Sequence, residues 1–354
     1  MIYYKLLIFF FTGLAFGLVL FMLVYLLIKR KKRLSYKKWA NIADLFINNA
    51  IFSDEDEDGS LEMAITQNRA KKLMVHKRFR MQLSDKIISA AKSLSGQSTL
   101  NLQKFYLTLA LDKYALDKVS SYSWHIRAKG IQEIGIMGLK GYLTKVYGYT
   151  NNKNDLVRAE AQITVLKLFG FEGLRFLDVI TYQLTEWHQI RLLHELFHYP
   201  QEKFTGIDKW LKSDNTSVTV FALKLARIYH RFELYAEISA CLNHPDPKVR
   251  FHAIQTLEDV YMEDTAGKLN ARFDQEDIKN QLAIAKALQS VGSEDDIQGL
   301  IIYLYTDNIE LKIAFARTLA SIGEAGVDAL HTHPEADQFP LNEIILQIDE
   351  ELEV

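Results

Sequence analysis

A pattern of about 31 residues recurs through most of this chain, and it constrains the fold more than any single segment does. The pattern is a polar or Asp-containing turn, a β-branched or apolar residue, a basic residue and then a strongly apolar helix. It appears in Trp124-His125-Ile126-Arg127-Ala128, in Asn154-Asp155-Leu156-Val157-Arg158-Ala159, in Trp187-His188-Gln189-Ile190-Arg191 and in Asp246-Pro247-Lys248-Val249-Arg250. Looser copies are Ser217-Val218-Thr219, Asp277-Ile278-Lys279 and Glu310-Leu311-Lys312. Taken at residues 127, 158, 191, 219, 250, 279 and 312, the basic position advances by 31, 33, 28, 31, 29 and 33 residues. One such unit cannot bury its own apolar face, so the pattern predicts a stack of units sharing a continuous core.

Each interval also has room for a preceding helix, as at 172–182, 232–242 and 295–305. Gly135, Gly170, Gly292 and Gly323 fall where helix C-caps are expected. In this register Val157, Ala161, Val165 and Leu168 face inward, as do Val249, Ala253 and Leu257, and the basic residue bonds the groups of its own turn or of the neighbouring repeat. The stretches 155–170 and 246–260 resemble HEAT repeats, in which this segment is the second helix of each pair. The resemblance covers about residues 100–330. It implies a right-handed α-solenoid of HEAT-like helix pairs, so that with the N-terminal transmembrane helix read from residues 6–28 the expected fold is all-α. The whole layout is similar to bacterial single-span membrane-anchored HEAT-repeat domain proteins, whose concave surface would hold a protein partner.

The N-terminus supplies the membrane part of that expectation. Residues 6–28 are a run of 23 without an ionisable side chain apart from the Tyr25 phenol. As a helix the run spans about 34 Å, enough for a hydrocarbon core of ~30 Å. It is too long for the apolar region of a signal peptide and lacks a small-residue cleavage site, so it reads as an uncleaved anchor. Lys29, Arg30, Lys31, Lys32, Arg33, Lys37 and Lys38 follow it, against Lys5 before it, which predicts a cytoplasmic C-terminal body at a bacterial inner membrane. Gly13 and Gly17 form a G-x-x-x-G, a spacing that lets two helices approach closely and leaves a homodimer open.

Charge excludes one function class. Residues 1–38 carry 8 Lys/Arg and no carboxylate, so of 42 basic and 44 acidic residues the remainder keeps 34 and 44, a net −10. A folded domain of that sign is not a nucleic-acid binder. The single cysteine, Cys241, leaves no intramolecular disulfide and fits a reducing compartment.

The expected organisation is an N-terminal stub at 1–5, the span at 6–28, a basic and amphipathic neck with an acidic loop at 29–60, a helical neck at 61–99, the repeats at 100–335 and an acidic cap at 336–354. Trp39, Ile42, Ala43, Phe46, Ile47 and Ala50 fall at helical spacing; that stripe either lies on the membrane surface or packs on the next helix.

Two local motifs point toward metals. Asp54, Asp56 and Asp58 with Gly59 and Leu61 resemble the first nine positions of an EF-hand calcium loop, but the twelfth position is Ile65 where the family has a bidentate glutamate. The segment therefore reads first as an acidic, solvated linker. His194-Glu195-Leu196-Phe197-His198 is an H-E-x-x-H, which on a helix offers two zinc ligands and a general base. Pro200 follows at once, no third ligand is evident, and His194 and His198 align with core-facing Ala161 and Val165. The two-iron precedent for a HEAT-like enzyme, deoxyhypusine hydroxylase, uses several His-Glu pairs; here there is one. Trp124 and Trp187 share a turn position and point to packing between repeats, while Tyr142, Tyr147 and Tyr149 crowd a loop that offers a contact surface. The expected function is a non-enzymatic scaffold without cofactor, its partner a protein such as a membrane enzyme or an envelope-assembly complex.

Overall fold

A computed structural model describes residues 2–52, 66–200 and 204–352, and the regular elements among them are helical. The chain divides into two compact units, Met1–Leu168 and Phe169–Val354, a division that falls within the repeat region.

The first unit opens with α1 (Ile2–Ile51), a single helix of 50 residues, or about 75 Å. No proline or glycine follows Gly17 within it, and the run of Lys and Arg is itself a good helix former, so nothing in the sequence ends the helix at the edge of the apolar run. Residues 10–28 are exposed on every side. Further along the same helix Ala43, Phe46, Ile47 and Ala50 are buried. The amphipathic stripe thus packs on protein rather than lying free: α2 (66–73) and α3 (Lys77–Ala91) cover it, with Ala70, Phe79 and Leu83 fully buried. The Trp39 ring lies 5.1 Å from Phe79 and 5.3 Å from His76 between centroids. Next come α4 (Gln97–Thr108), α5 (Leu111–Val119), α6 (Trp124–Ile136), the short α7 (Leu143–Tyr147) and α8 (Asp155–Phe169).

In the second unit the elements are α9 (Glu186–Leu196), α10 (Ile207–Trp210), α11 (Thr216–Ile228), α12 (Tyr235–Ala240), α13 (Pro247–Asp259), α14 (Thr265–Arg272), α15 (Ile278–Val291), α16 (Ile297–Leu300), α17 (Ile309–Ser321), α18 (Glu324–His331) and α19 (Leu341–Leu352). Long second helices alternate with shorter first helices, several of them partly 3-10. The expected helix at 172–182 is a 3-10 run, Gly170–Asp178, and that at 295–305 passes through Glu294–Asp296, α16 and Ile301–Tyr305. At the C-terminus α19 buries Leu341, Ile344, Ile345 and Ile348 and pairs Glu351 with Arg317 at 2.8 Å, as a capping helix should.

The structure regularises the repeat. The residues at the N-caps of the second helices are Ser123, Asn154, Thr185, Asn215, Asp246, Asp277 and Asn308. Their step is 31 residues, broken once by a step of 30 between Thr185 and Asn215. Six of the seven accept a bond from a backbone N–H of the first turn, the usual work of an N-cap side chain. Counted from the cap, position +4 is Arg127, Arg158, Gln189, Thr219, Arg250, Gln281 and Lys312. Arg191 and Lys279, taken above as the basic position, are therefore two residues out of register in each direction: the position is Gln189 in one repeat and Gln281 in the other. An alignment anchored on basic side chains slips wherever the clamp is a glutamine.

A second device joins neighbouring repeats. Thr164, Thr256 and Thr318, all at position +10 and all buried, donate to the carbonyls of Ile131, Leu223 and Ala285, at position +8 of the repeat before, over 3.1, 3.2 and 2.8 Å. Gly135 is interior to α6 rather than a cap; a Cβ there would meet Thr164 Oγ1 at 2.8 Å, so glycine permits the close approach. At the α17–α18 corner Gly326 is tighter still, its Cβ falling 1.9 Å from the Leu319 carbonyl oxygen.

Thr318→Val should lower stability by about 1 kcal/mol through the lost hydrogen bond, and Gly326→Ala by about 1–3 kcal/mol through overpacking. Denaturant melts of full-length protein measure both, and an unchanged midpoint for Gly326→Ala would refute the packing of this corner.

Candidate interaction surface

The position +4 side chains are structural. Arg127, Arg158, Thr219 and Arg250 each donate to the carbonyl two residues before their own cap, on Ser121, Asn152, Ser213 and His244, at 2.6, 2.6, 3.0 and 3.0 Å. The side chains of those same four residues accept from the cap N–H at 3.0–3.2 Å, so each turn is closed from both directions. Arg250 also reaches Glu276 of the following repeat at 2.7 Å, where Arg272 and Asn280 meet the same carboxylate. Burial alone would raise Glu276, but these three hydrogen bonds outweigh it and hold the carboxyl below its usual range.

The H-E-x-x-H straddles the end of α9, with His198 just past the helix, and is not placed as aligned above. His194 and His198 are exposed, not core-facing; the buried residues of this helix are His188, Gln189, Leu192 and Leu196. With Thr185 as the cap, Leu192 and Leu196 take the places of Ala161 and Val165, and Glu195 is the half-buried residue at position +10. The two imidazole centroids are 5.6 Å apart, and His198 Nδ1 is 3.3 Å from the Glu195 carbonyl oxygen. Among the described residues no group of three His, Cys, Asp or Glu side chains is placed to hold a metal. Asp54, Asp56 and Asp58 lie outside the described residues.

The aromatics redistribute as well. Trp124 and Trp187 sit at positions +1 and +2, not at one shared place, and are 46% and 70% exposed. Tyr142, Tyr147 and Tyr149 pack on the first unit's core instead of forming a contact surface; Tyr142 donates to Asp112 at 2.6 Å, which pushes its phenol up to about 12. Trp210 is buried at the end of α10, its indole donating to Asp178 at 2.8 Å.

One strong buried charge pair belongs to the scaffold of the first unit. Lys118 on α5 donates to both oxygens of Glu133 on α6, at 2.6 and 2.7 Å, beneath the Tyr114 ring. Burial pushes Lys118 down and Glu133 up, and their contact opposes both shifts. Gly130 lets the helices close around the pair, since a Cβ there would meet Lys118 Cβ at 2.7 Å.

Among the apolar side chains left exposed, some lie together on second helices. On α9, Trp187, Ile190 and Phe197 are 70%, 54% and 84% exposed, and their spacing of three and seven residues puts them on one face. Between α13 and α15 runs an open groove of about 590 Å³. Phe251, Ile278, Leu282 and Ala283 form its apolar floor, and Lys279 and Lys286 stand at its rim, Lys279 over the Phe251 ring at 4.3 Å. Glu258 at its edge lies between Arg227 (3.6 Å) and Lys286 (3.8 Å). Beside the groove His252 is held neutral, burial and then Lys224 pushing its pKa down to about 4. The repeat pattern alone hid this groove, because its floor residues occupy helix positions that the core stripe leaves out. Ile278, apolar directly after an N-cap, was the one legible sign.

Residues 235–320 match the profile of HEAT repeats. Among solved structures, similarity is found to an engineered protein (13% identity, TM-score 0.38, covering 89% of this chain and 98% of that one). It is also found to Kap121p (11%, 0.35, 89% and 48%) and to human deoxyhypusine hydroxylase (14%, 0.30, 91% and 99%). The chain spans about half the length of Kap121p. No curated protein sequence matches the chain.

Two measurements check this account of the buried charges. Lys118→Met should destabilise by about 3–5 kcal/mol by stranding a buried carboxylate, while Lys118→Met with Glu133→Leu recovers most of the loss. The second concerns acid. Unfolded His252 takes up a proton near pH 6.5 but the folded ring only near 4, so stability falls as pH drops through that window and is unaffected above it. The depressed Glu276 acts in the same sense, its contribution being lost as pH falls through its folded pKa. Thermal melts from pH 7 to 4 should decline, and less steeply for His252→Gln; an identical slope would refute the burial of this ring.

Proposed function

We propose that this chain is a membrane-tethered protein-interaction scaffold without catalytic activity. In this reading α1 spans a bacterial inner membrane, the two helical units lie on its cytoplasmic side, and the groove between α13 and α15 holds an amphipathic segment of a protein partner. The observation that carries the reading is the division of labour along α1. Residues 10–28 are exposed all round, with a mean hydropathy of 2.5 in the most apolar window, while Ala43, Phe46, Ile47 and Ala50 of the same helix are locked into the first unit's core. Such a surface is stable in lipid, and a helix continuous through the basic flank makes the tether rigid.

The groove supports the second half of the reading. Its floor is apolar, it is open, and its rim carries Lys279 and Lys286 with Glu258 beside Lys286, which suits apolar anchors flanked by acidic side chains better than an enclosed small molecule. Gly13 and Gly17 both face open space on α1, where a second copy of the helix has room to approach.

Two experiments test this. A photo-crosslinking residue placed at Leu282 should give a discrete protein adduct in membranes, which Ile278→Glu abolishes without changing the melting temperature. Equal adducts from a control site on α14 would overturn the groove. A phosphatase fused to the C-terminus should be inactive; activity outside the cytoplasm would overturn the orientation.

A further inference from the structure

The first unit carries a second charged surface next to the point where α1 enters it. Helix α2 runs back along α1 in step. Asn49 donates to Thr66 at 3.3 Å at one end, and Trp39 meets His76 at 5.3 Å at the other, so ten residues of α1 are retraced by ten of the returning chain. The turn at 74–76 therefore lies beside Trp39, at the end of the unit nearest the apolar part of α1.

This end is basic and exposed. Residues 66–84 contain six Lys/Arg and no Asp or Glu. Lys71, Lys72, Lys77 and Arg78 are exposed, and Val75 at the tip of the turn is 84% exposed. Trp39 follows Ile28 by eleven residues, about 16 Å along a helix. Headgroups occupy roughly 5–7 Å of that distance, which leaves the turn about one Debye length, ~8–10 Å, from the lipid surface. A tilt of α1 brings it closer, and the side chains of Lys and Arg reach further still.

We propose that the 71–78 turn is a second membrane contact, in which Lys71, Lys72, Lys77 and Arg78 engage anionic headgroups of the leaflet that α1 leaves and Val75 inserts at the interface. The occupant is a lipid surface because Lys71, Lys72, Lys77 and Arg78 are cationic and exposed there, the turn is tipped by an apolar side chain, and the rigid helix holds it within about one Debye length of that surface. The contact rests on the spanning role of α1 proposed above. Its consequence is orientation: one helix through the bilayer leaves the units free to swing about its axis, and a second contact removes that freedom.

The test uses full-length protein with Cys241→Ser and Val75→Cys, labelled at position 75 with an environment-sensitive fluorophore. The protein is reconstituted in vesicles of phosphatidylcholine alone or of phosphatidylcholine with phosphatidylglycerol. Quenching by brominated lipid should appear only in the anionic vesicles. It should fall at least about fivefold, the factor for one basic residue at an anionic surface, when Lys71, Lys72, Lys77 and Arg78 are changed to Gln. Melting temperature and resistance to carbonate extraction should not change. Extraction by carbonate would overturn both the span and this contact. Insertion with the probe equally wet in both vesicles would overturn the contact alone. A probe response to an added acidic polypeptide or oligonucleotide, but not to lipid, would assign the patch to another anion and overturn it too.

Discussion

The structure depends on the closed turn that precedes each second helix. A helix pair of about 30 residues cannot bury its own apolar face, so its stability comes from neighbours, and neighbours stack only if every second helix starts at the same place and angle. The cap side chain, the +4 clamp to the carbonyl before it and the return bond from the cap N–H set that start. Arg127, Arg158, Thr219 and Arg250 make the clamp with two different chemistries, guanidinium and hydroxyl, at one geometry. Once the turns are set, Thr164, Thr256 and Thr318 fall opposite carbonyls of the preceding repeat, and a polar group that would be expensive to bury becomes the register pin between helices.

Helix α1 follows a different logic. In the proposed reading a flexible linker after the span would leave the body free; here the chain passes from the exposed apolar stretch to buried Ala43 and Phe46 without leaving one helix. Helical geometry then fixes both the stand-off and the rotational phase of whatever the first unit presents. Each surface of the first unit therefore keeps a constant relation to α1.

Composition and spacing made the helical repeat legible, because burial periodicity and N-cap chemistry are local. The register was legible only in part. Basic residues are conspicuous but vary at the clamp, whereas the small polar caps are constant in role and inconspicuous in kind; Thr185 and Gln189 set the third repeat, and Arg191 misled. That slip of two residues turned His194 and His198 from exposed side chains into supposed core residues.

By itself the sequence determined the all-helical repeat, the apolar run at 6–28 and the basic flank, since each is a property of contiguous residues. Only the tertiary structure decided that α1 continues unbroken into the core, that α2 returns the basic turn to Trp39, that Lys118 and Glu133 meet, and that Phe251, Ile278 and Leu282 share a groove. Those facts join residues distant in sequence, and no spacing along one strand of chain encodes which faces of two helices come together.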